Sequence, residues 1–250
     1  DNIMAIRLSA DTTGKISFKT NLENLIGGSA YTNTINGDTI TMGDALIGNG
    51  LKTEAQLKVI NEGGSISVSE NNGIPAIHVS DADAVTLLFA CGTDYKMELP
   101  AFRGEDPHTA VTGRILAAAQ KGYEALKADH IADHAALFSR MKLGFNEEIP
   151  QLPTDELIRK YTNMVENNGG EIPTETEQRA LEVMCYQFGR YLTIAGSREG
   201  ALPTNLQGVW GEGAFTWYGD YHFNINVQMN YWPTMASNLG ECMKPYNDYL

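Results

Sequence analysis

The chain has 250 residues, 42% hydrophobic and 20% charged, a balance that fits a soluble globular protein with room for one large domain or two medium ones. Its formal net charge of -13 repels phosphates and argues against a nucleic-acid partner, and no run approaches the ~20 apolar residues of a membrane span. Cys91, Cys185 and Cys242 stand far apart without a CxxC pair, which argues against a zinc ribbon or a disulfide framework and leaves three buried thiols as the expectation.

The first hundred residues read as strands. Short, often alternating runs at residues 3–8, 15–20, 39–42, 53–60, 65–69, 76–80 and 84–91 are separated by clusters such as Asn61-Glu62-Gly63-Gly64, the pattern of an all-β sandwich. After Pro107 the period changes. Val111, Ile115, Ala118 and Ala119, then Tyr123, Leu126, Leu137, Phe138 and Met141 recur at helical spacing and predict two helices over 109–141. Residues 144–153, with two prolines, read as a linker. A third helix, capped by Thr154 or Asp155, is expected to carry Leu157, Ile158, Tyr161, Met164 and Val165 and to end at 167–173. A fourth, over 175–195, is expected to place Leu181, Met184, Cys185, Phe188, Tyr191 and Leu192 on its apolar face.

Residues 222–230, His-Phe-Asn-Ile-Asn-Val-Gln-Met-Asn, alternate polar and apolar side chains without exception. The period predicts a strand with His222, Asn224, Asn226, Gln228 and Asn230 on one side and Phe223, Ile225, Val227 and Met229 on the other. The polar side holds only neutral groups that both donate and accept hydrogen bonds, which match a ligand made of hydroxyls, a sugar. Trp210, Phe215, Trp217, Tyr218, Tyr221, Tyr231 and Trp232 crowd around it, and aromatic faces pack on the C–H patches of sugar rings. The same alternation fits a half-buried edge strand whose polar side meets water, but that side should then hold some Lys, Glu or Thr. Beyond it, Asn238 and Glu241 have capping-box spacing and predict a helix that the chain leaves about three turns in.

Other candidates weigh less. His130 and His134 stand four apart on a predicted helix, but Ile131 occupies the place where the zinc-protease pattern needs Glu, so a solvated helix face is the expectation. His78 and His108 have no evident partners and read as structural. Gly208, Gly211 and Gly213 have the wrong spacing for a phosphate loop and serve to turn the backbone. No Gly-x-Ser-x-Gly element occurs, so serine hydrolase chemistry has no support. Hydrolysis of a glycosidic bond usually takes two carboxyl groups, and Asp220, ahead of the alternating run, supplies one side only. An Asn carbonyl oxygen can still orient a water if a carboxylate elsewhere takes its proton.

Residues 202–210, Leu-Pro-Thr-Asn-Leu-Gln-Gly-Val-Trp, followed by Trp217 and by residues 220–233, Asp-Tyr-His-Phe-Asn-Ile-Asn-Val-Gln-Met-Asn-Tyr-Trp-Pro, closely resemble the signature of glycoside hydrolase family 95, the α-L-fucosidases. Phe188-Gly189-Arg190-Tyr191-Leu192, Ser197-Arg198 and residues 133–140 extend the likeness more weakly. Gly211 and Phe215-Thr216 stand where the family usually has an Asn and a Pro-Pro. The resemblance implies an α+β multidomain architecture: residues 1–106 as the C-terminal part of an N-terminal β-sandwich domain, 107–151 as a helical linker and 152–250 as the first part of a truncated (α/α)6 barrel. It also implies inverting hydrolysis of α-linked L-fucose. In that mechanism Asn224 and Asn226 position the attacking water, His222 contacts the sugar, and Trp210, Trp217, Tyr221 and Asp220 line the substrate site.

The resemblance places the general acid, a Glu, and the partner Asp beyond Leu250, so the 250-residue piece alone is expected to be inactive. It implies a glycan partner; no cofactor and no metal are expected, and, from the charge and the absence of a long apolar run, no nucleic acid and no membrane. A parent acting outside the cell is expected on the family alone; the chain opens with Asp1 and shows no signal peptide. Three alternatives stay open: α-galactosidase or α-L-galactosidase activity, a non-catalytic carbohydrate-binding protein, and a phosphorylase. The last needs a basic pocket, and Arg198 is the only basic residue between Arg190 and Lys244.

Overall fold

The computed structural model describes residues 2–24, 31–46, 48–145, 150–211 and 216–250. It divides into two compact units, Asp1–His130 and Ile131–Leu250. The linker assigned to 144–153 is therefore described only in part, and Gly213 and Phe215 lie outside the described residues.

The first unit contains β1 (Met4–Ser9), β2 (Ile16–Thr20), β3 (Thr32–Asn36), β4 (Thr39–Ala45), β5 (Lys52–Glu62), β6 (Ser65–Asn71), β7 (Ile74–Ala82) and β8 (Ala84–Thr93), followed by α1 (Pro107–Lys121). All pairings are antiparallel, in one sheet of order β1-β8-β5-β4-β3 and a second of order β2-β7-β6. Ile40, Leu57 and Val59 of the larger sheet and Ile77 and Val79 of the smaller one share a core with Ala82 and Val85. β8 is almost continuously apolar because both its faces are covered: Val85, Leu87 and Phe89 enter that core, while Leu88 and Ala90 pack with Val111, Ile115 and Ala118 of α1.

Seven of these strands follow the apolar runs of the sequence. β3, an Asn- and Thr-rich segment without an apolar stripe, was not expected; it is built by a tight hairpin to β4 around Gly37, whose φ is +61°. The β6–β7 turn uses Asn72 (φ +52°) and Gly73 (φ +81°), the left-handed pair that matches strand twist. His108, expected to lack a partner, stands in the first turn of α1 with Nδ1 3.0 Å from both carboxylate oxygens of Glu54.

α2 (Tyr123–Phe138) contains the boundary between the units, and the second unit continues with α3 (Thr154–Glu166), α4 (Glu175–Gly196), α5 (Asn226–Ala236) and α6 (Lys244–Tyr249), with 3-10 turns at Thr216–Gly219 and Gly240–Met243. α4 starts with a complete capping box: the Glu177 N–H donates to Thr174 Oγ1 (3.2 Å), and the Thr174 N–H donates to Glu177 Oε2 (2.8 Å). Leu137, Ile194, Leu239 and Cys242 form a buried cluster, with Phe138 against it.

Five expectations fail in this unit. α3 is not capped by Thr154 or Asp155: both lie inside the helix, and Pro153 stands at its N-cap without a side-chain cap hydrogen bond. Residues 222–230 are not a strand: residues 223–225 form a turn and Asn226 opens α5. At roughly 100° per residue the polar positions Asn226 and Gln228 lie about 200° apart, so the alternation defines no common face. It arises because α5 carries apolar groups on two sides, Val227 and Tyr231 inward and Met229, Trp232 and Met235 outward, with Ile225 exposed just before it. The capping box at Asn238 and Glu241 does not form; Leu239 precedes a 3-10 turn, and α6 starts only at Lys244, with Pro245 in its first turn. The expected apolar face of α4 is largely open, since Met184, Cys185, Phe188 and Tyr191 are exposed while Ala180, Arg190 and Ile194 are buried. Two of the three thiols are exposed as well: Cys185 on that open face, and Cys91 one alternation past Phe89 of β8. Only Cys242 is buried, and burial pushes its thiol pKa up.

Candidate active site

The site is built where the loop after α4 folds against α5. Its anchor is Tyr231, only 4% exposed, four residues after Val227 and therefore on the same buried stripe of the helix. The Tyr231 hydroxyl lies 2.8 Å from Ser197 Oγ and accepts the Thr204 N–H at 3.0 Å. One residue earlier, the Asn230 amide donates to the Asn205 carbonyl at 2.8 Å. Asn205 also exchanges backbone hydrogen bonds with Gly208 in both directions, and its Oδ1 accepts the Gln207 N–H at 2.9 Å. Gly208 closes this turn at φ +69°, a conformation that side chains disfavour.

The far side of the loop is tied to the segment that leads into α5. The Leu206 N–H donates to the Asp220 carbonyl at 3.2 Å, and the Tyr221 hydroxyl donates to the Pro203 carbonyl at 2.9 Å. His222 follows, its Nε2 3.7 Å from Asp220 Oδ2, with the Trp217 ring edge-on at 6.0 Å between centroids. Tyr221 packs on Phe223 and on Tyr249 of α6, with centroids 6.3 and 5.0 Å apart. Trp210, half exposed, stacks with Tyr191 of α4 at 6.4 Å.

The polar residues of 222–230 thus divide by role. Gln228 donates to the Phe223 carbonyl at 2.5 Å and Asn230 to that of Asn205, so both hold backbone. Asn224 is exposed in the turn and Asn226 half-buried at the first position of α5. Neither carboxamide bonds another side chain among the described residues. Asn224, Asn226, His222, Asp220, Tyr221 and Trp217 lie on one continuous segment, and Trp210 belongs to the loop strapped to it. The Tyr221 hydroxyl is committed to Pro203, which leaves its ring as a packing surface. Trp232 projects outward, 63% exposed.

Sequence reasoning did not single out Ser197, Asn205, Asn230 and Tyr231 as the scaffold. The signal was present in the i, i+4 pairs Asn226–Asn230 and Val227–Tyr231, hidden inside the two-residue alternation. His134 is half-buried, its ring 5.0 Å from that of Phe138 and 5.9 Å from that of Tyr191, while His130 is exposed. Among the described residues no group of three or more His, Cys, Asp or Glu is placed to hold a metal. Arg198 is gripped by Asp133 at 2.9 and 2.5 Å, a pairing that raises its pKa and keeps it from serving as a free phosphate ligand.

The sequence profile of the Glycosyl hydrolase family 95 catalytic domain matches residues 122–250, just over half the chain. The chain belongs to glycosyl hydrolase family 95. Residues 1–98 match the profile of the Glycosyl hydrolase family 65 N-terminal domain, so the two-sheet unit is also accounted for. Relatives of this family-95 chain include "Probable alpha-fucosidase A" of Aspergillus niger, 31% identical over the whole chain and 31% of that protein. "Alpha-L-fucosidase 2" of Arabidopsis thaliana is 28% identical, with the same coverage of both. A "Probable alpha-fucosidase A" of Aspergillus oryzae is 33% identical over 72% of the chain and 25% of that protein. The chain spans about a third of the length of the curated relatives it matches, or less.

Proposed function

We propose that the protein containing this chain is an inverting glycosidase that releases α-linked L-fucose from glycans, with Asn224 and Asn226 holding the attacking water. The observation that carries this reading is the division of roles around α5. Gln228 and Asn230 are spent on backbone carbonyls and His222 faces Asp220, whereas the two carboxamides at the turn-to-helix junction have oxygen atoms open to a ligand. The α-fucosidase names of the whole-chain relatives support the same sugar.

In this mechanism the carboxamides of Asn224 and Asn226 hold a water between them, one oxygen accepting one of its hydrogens and the other side chain's NH2 donating to one of its lone pairs, which leaves the second hydrogen for a base and the second lone pair aimed at the anomeric carbon. A carboxylate takes one proton as the bond to carbon forms, and a carboxylic acid protonates the departing glycosidic oxygen. Inversion requires the two carboxyl groups about 6.5–9.5 Å apart to admit that water. Trp210 and Trp217 offer ring faces to the sugar, with His222 as a polar contact. The two-sheet unit then corresponds to a β-sandwich domain (1–106), and the helices to a linker (107–151) and the first part of an (α/α)6 barrel (152–250).

The test is turnover of aryl glycosides differing only in the sugar by the full-length protein, with the anomer released followed by NMR. The expected result is preference for the α-L-fucoside with inverted configuration. Asn226→Ala is expected to lower kcat by about 100-fold or more with little change in KM. An unchanged kcat excludes Asn226 as a water holder, and preference for a galactoside reassigns the sugar.

A further inference from the structure

Four stretches of the chain are joined by one line of hydrogen bonds through a buried phenol. Ser197, directly after α4, donates its hydroxyl to the Cys242 carbonyl at 2.8 Å. A carbonyl can only accept, so the serine proton is committed there, and the 2.8 Å contact with Tyr231 must be donated by the tyrosine. The phenol oxygen in turn accepts the Thr204 N–H. The proton order is therefore fully determined: Thr204 N–H to Tyr231, Tyr231 O–H to Ser197, Ser197 O–H to Cys242. Ser197 is 1% exposed and Tyr231 4%, so no water competes for these bonds and each is costly to lose.

The phenol in this chain of bonds fixes the loop at 203–208, which is wedged between two parts of the candidate site, while Ser197 and Cys242 bury and stabilise the phenol from behind. On one side Tyr231 and Asn230 hold Thr204 and Asn205 to the helix that Asn226 opens. On the other, Leu206 and Pro203 are bound to Asp220 and Tyr221, immediately before His222. Beyond Gly208, the Trp210 N–H donates to the Gln207 carbonyl at 3.4 Å, so the loop also sets where that ring stands.

We propose that Tyr231, assisted by Asn230, is a positioning residue for the water-holding pair: through the loop at 203–208 it sets Asn224 and Asn226 against Trp210 and the Asp220–His222 segment. Tyr231 itself touches no substrate. This inference rests on the glycosidase reading for its kinetic consequence but not for its structural one. Displacing a reacting group by about 1 Å can cost roughly 100-fold in rate, so the hydroxyl has leverage out of proportion to one hydrogen bond.

The experiment compares Tyr231→Phe with Ser197→Ala in the full-length protein. Tyr231→Phe strips Thr204 of its acceptor; Ser197→Ala removes two buried hydrogen bonds but leaves Thr204 bound to the phenol. Both are expected to lower Tm, whereas only Tyr231→Phe should lower kcat for an aryl α-L-fucoside, by about 10- to 100-fold with KM changed less than about 3-fold. Equal kcat losses in the two variants, or none in either, overturn the proposal, because the phenol would then be only a stabilising group. Amide hydrogen exchange is measured on the same proteins. Tyr231→Phe should speed exchange at Thr204 and Gly208 while sparing the middle of α5, and unchanged exchange there overturns the proposal whether or not the wild type cleaves fucosides. A wild type inactive on every aryl glycoside, with the expected exchange pattern, instead counts against the sugar assignment and leaves the loop-fixing role standing.

Discussion

Replacing Arg190 should unfasten one end of α2. The guanidinium is 2% exposed and donates from Nη1 to the carbonyls of Phe138 (2.8 Å) and Met141 (3.1 Å) and to Gln187 Oε1 (3.0 Å), and from Nη2 to the Leu137 carbonyl (3.2 Å). It also lies over the Phe138 ring at 5.1 Å. α2 has no basic residue in its own last turn, so a cation from α4 supplies what helix ends require: donors for orphan carbonyls and positive charge at the negative pole of the dipole. Arg190→Met keeps the aliphatic bulk but strips three acceptors, the Phe138 and Met141 carbonyls and Gln187 Oε1, each costing about 1–3 kcal/mol if left unpaired, while the Leu137 carbonyl keeps the Arg140 N–H. Removing the buried charge returns several kcal/mol of desolvation, for a net loss of about 2–4 kcal/mol. Arg190→Lys, which keeps the charge without the planar fork, should lose about half as much. Trp210, Trp217 and Trp232 all lie in the second unit, so tryptophan emission during urea unfolding reports that unit. With a urea slope of roughly 1–3 kcal/mol/M the midpoint should fall by about 1–2 M for the Met variant. A shift below about 0.3 M would refute the view that this guanidinium carries the helix end.

Gly64 sits at φ +59°, and an added Cβ would stand 2.5 Å from the Asp81 carbonyl carbon and 2.6 Å from the Ala82 nitrogen. Gly64→Ala should therefore cost about 3 kcal/mol or more, against about 1–2 kcal/mol for Gly73→Ala, where φ is +81° but the space is open; thermal melts followed by far-UV circular dichroism decide whether the gap exists. An aromatic disulfide reagent should label Cys91 and Cys185 at once and Cys242 only on unfolding, so rapid release of three equivalents would contradict the burial of Cys242. The Arg7 hydrogen bond holds the Glu62 carboxyl below its ordinary range. A depressed carboxylate stabilises the fold above its unfolded value, about 4.3, and loses that contribution as pH falls through the lower native value. Arg7→Gln should accordingly flatten the acid limb of a Tm-against-pH curve below about pH 4.5, and an unchanged limb would show that Glu62 contributes nothing there.

How far the sequence spoke depended on how many faces of an element are covered. Seven of the eight described strands were legible because β5, β7 and β8 carry long apolar runs bounded by Gly, Asn and Asp, and α1 and α4 because apolar residues recur along them at helical spacing. The composition of the 222–230 run, amides interleaved with apolar groups, pointed to a polyhydroxylated ligand without reference to any fold. Its geometry was not legible. A helix apolar on two sides alternates along the chain as a strand does, and nine residues cannot distinguish the periods; only the burial of Val227 and Tyr231, the latter bonded to the loop after α4, decides for the helix. Tertiary contact also decided which amides are structural, because Asn205, lying 25 residues before Asn230, has no local signal that it will claim that side chain. Residue chemistry is a property of the chain, whereas the division between groups that hold backbone and groups left open to a ligand depends on which distant carbonyls folding brings within 3 Å.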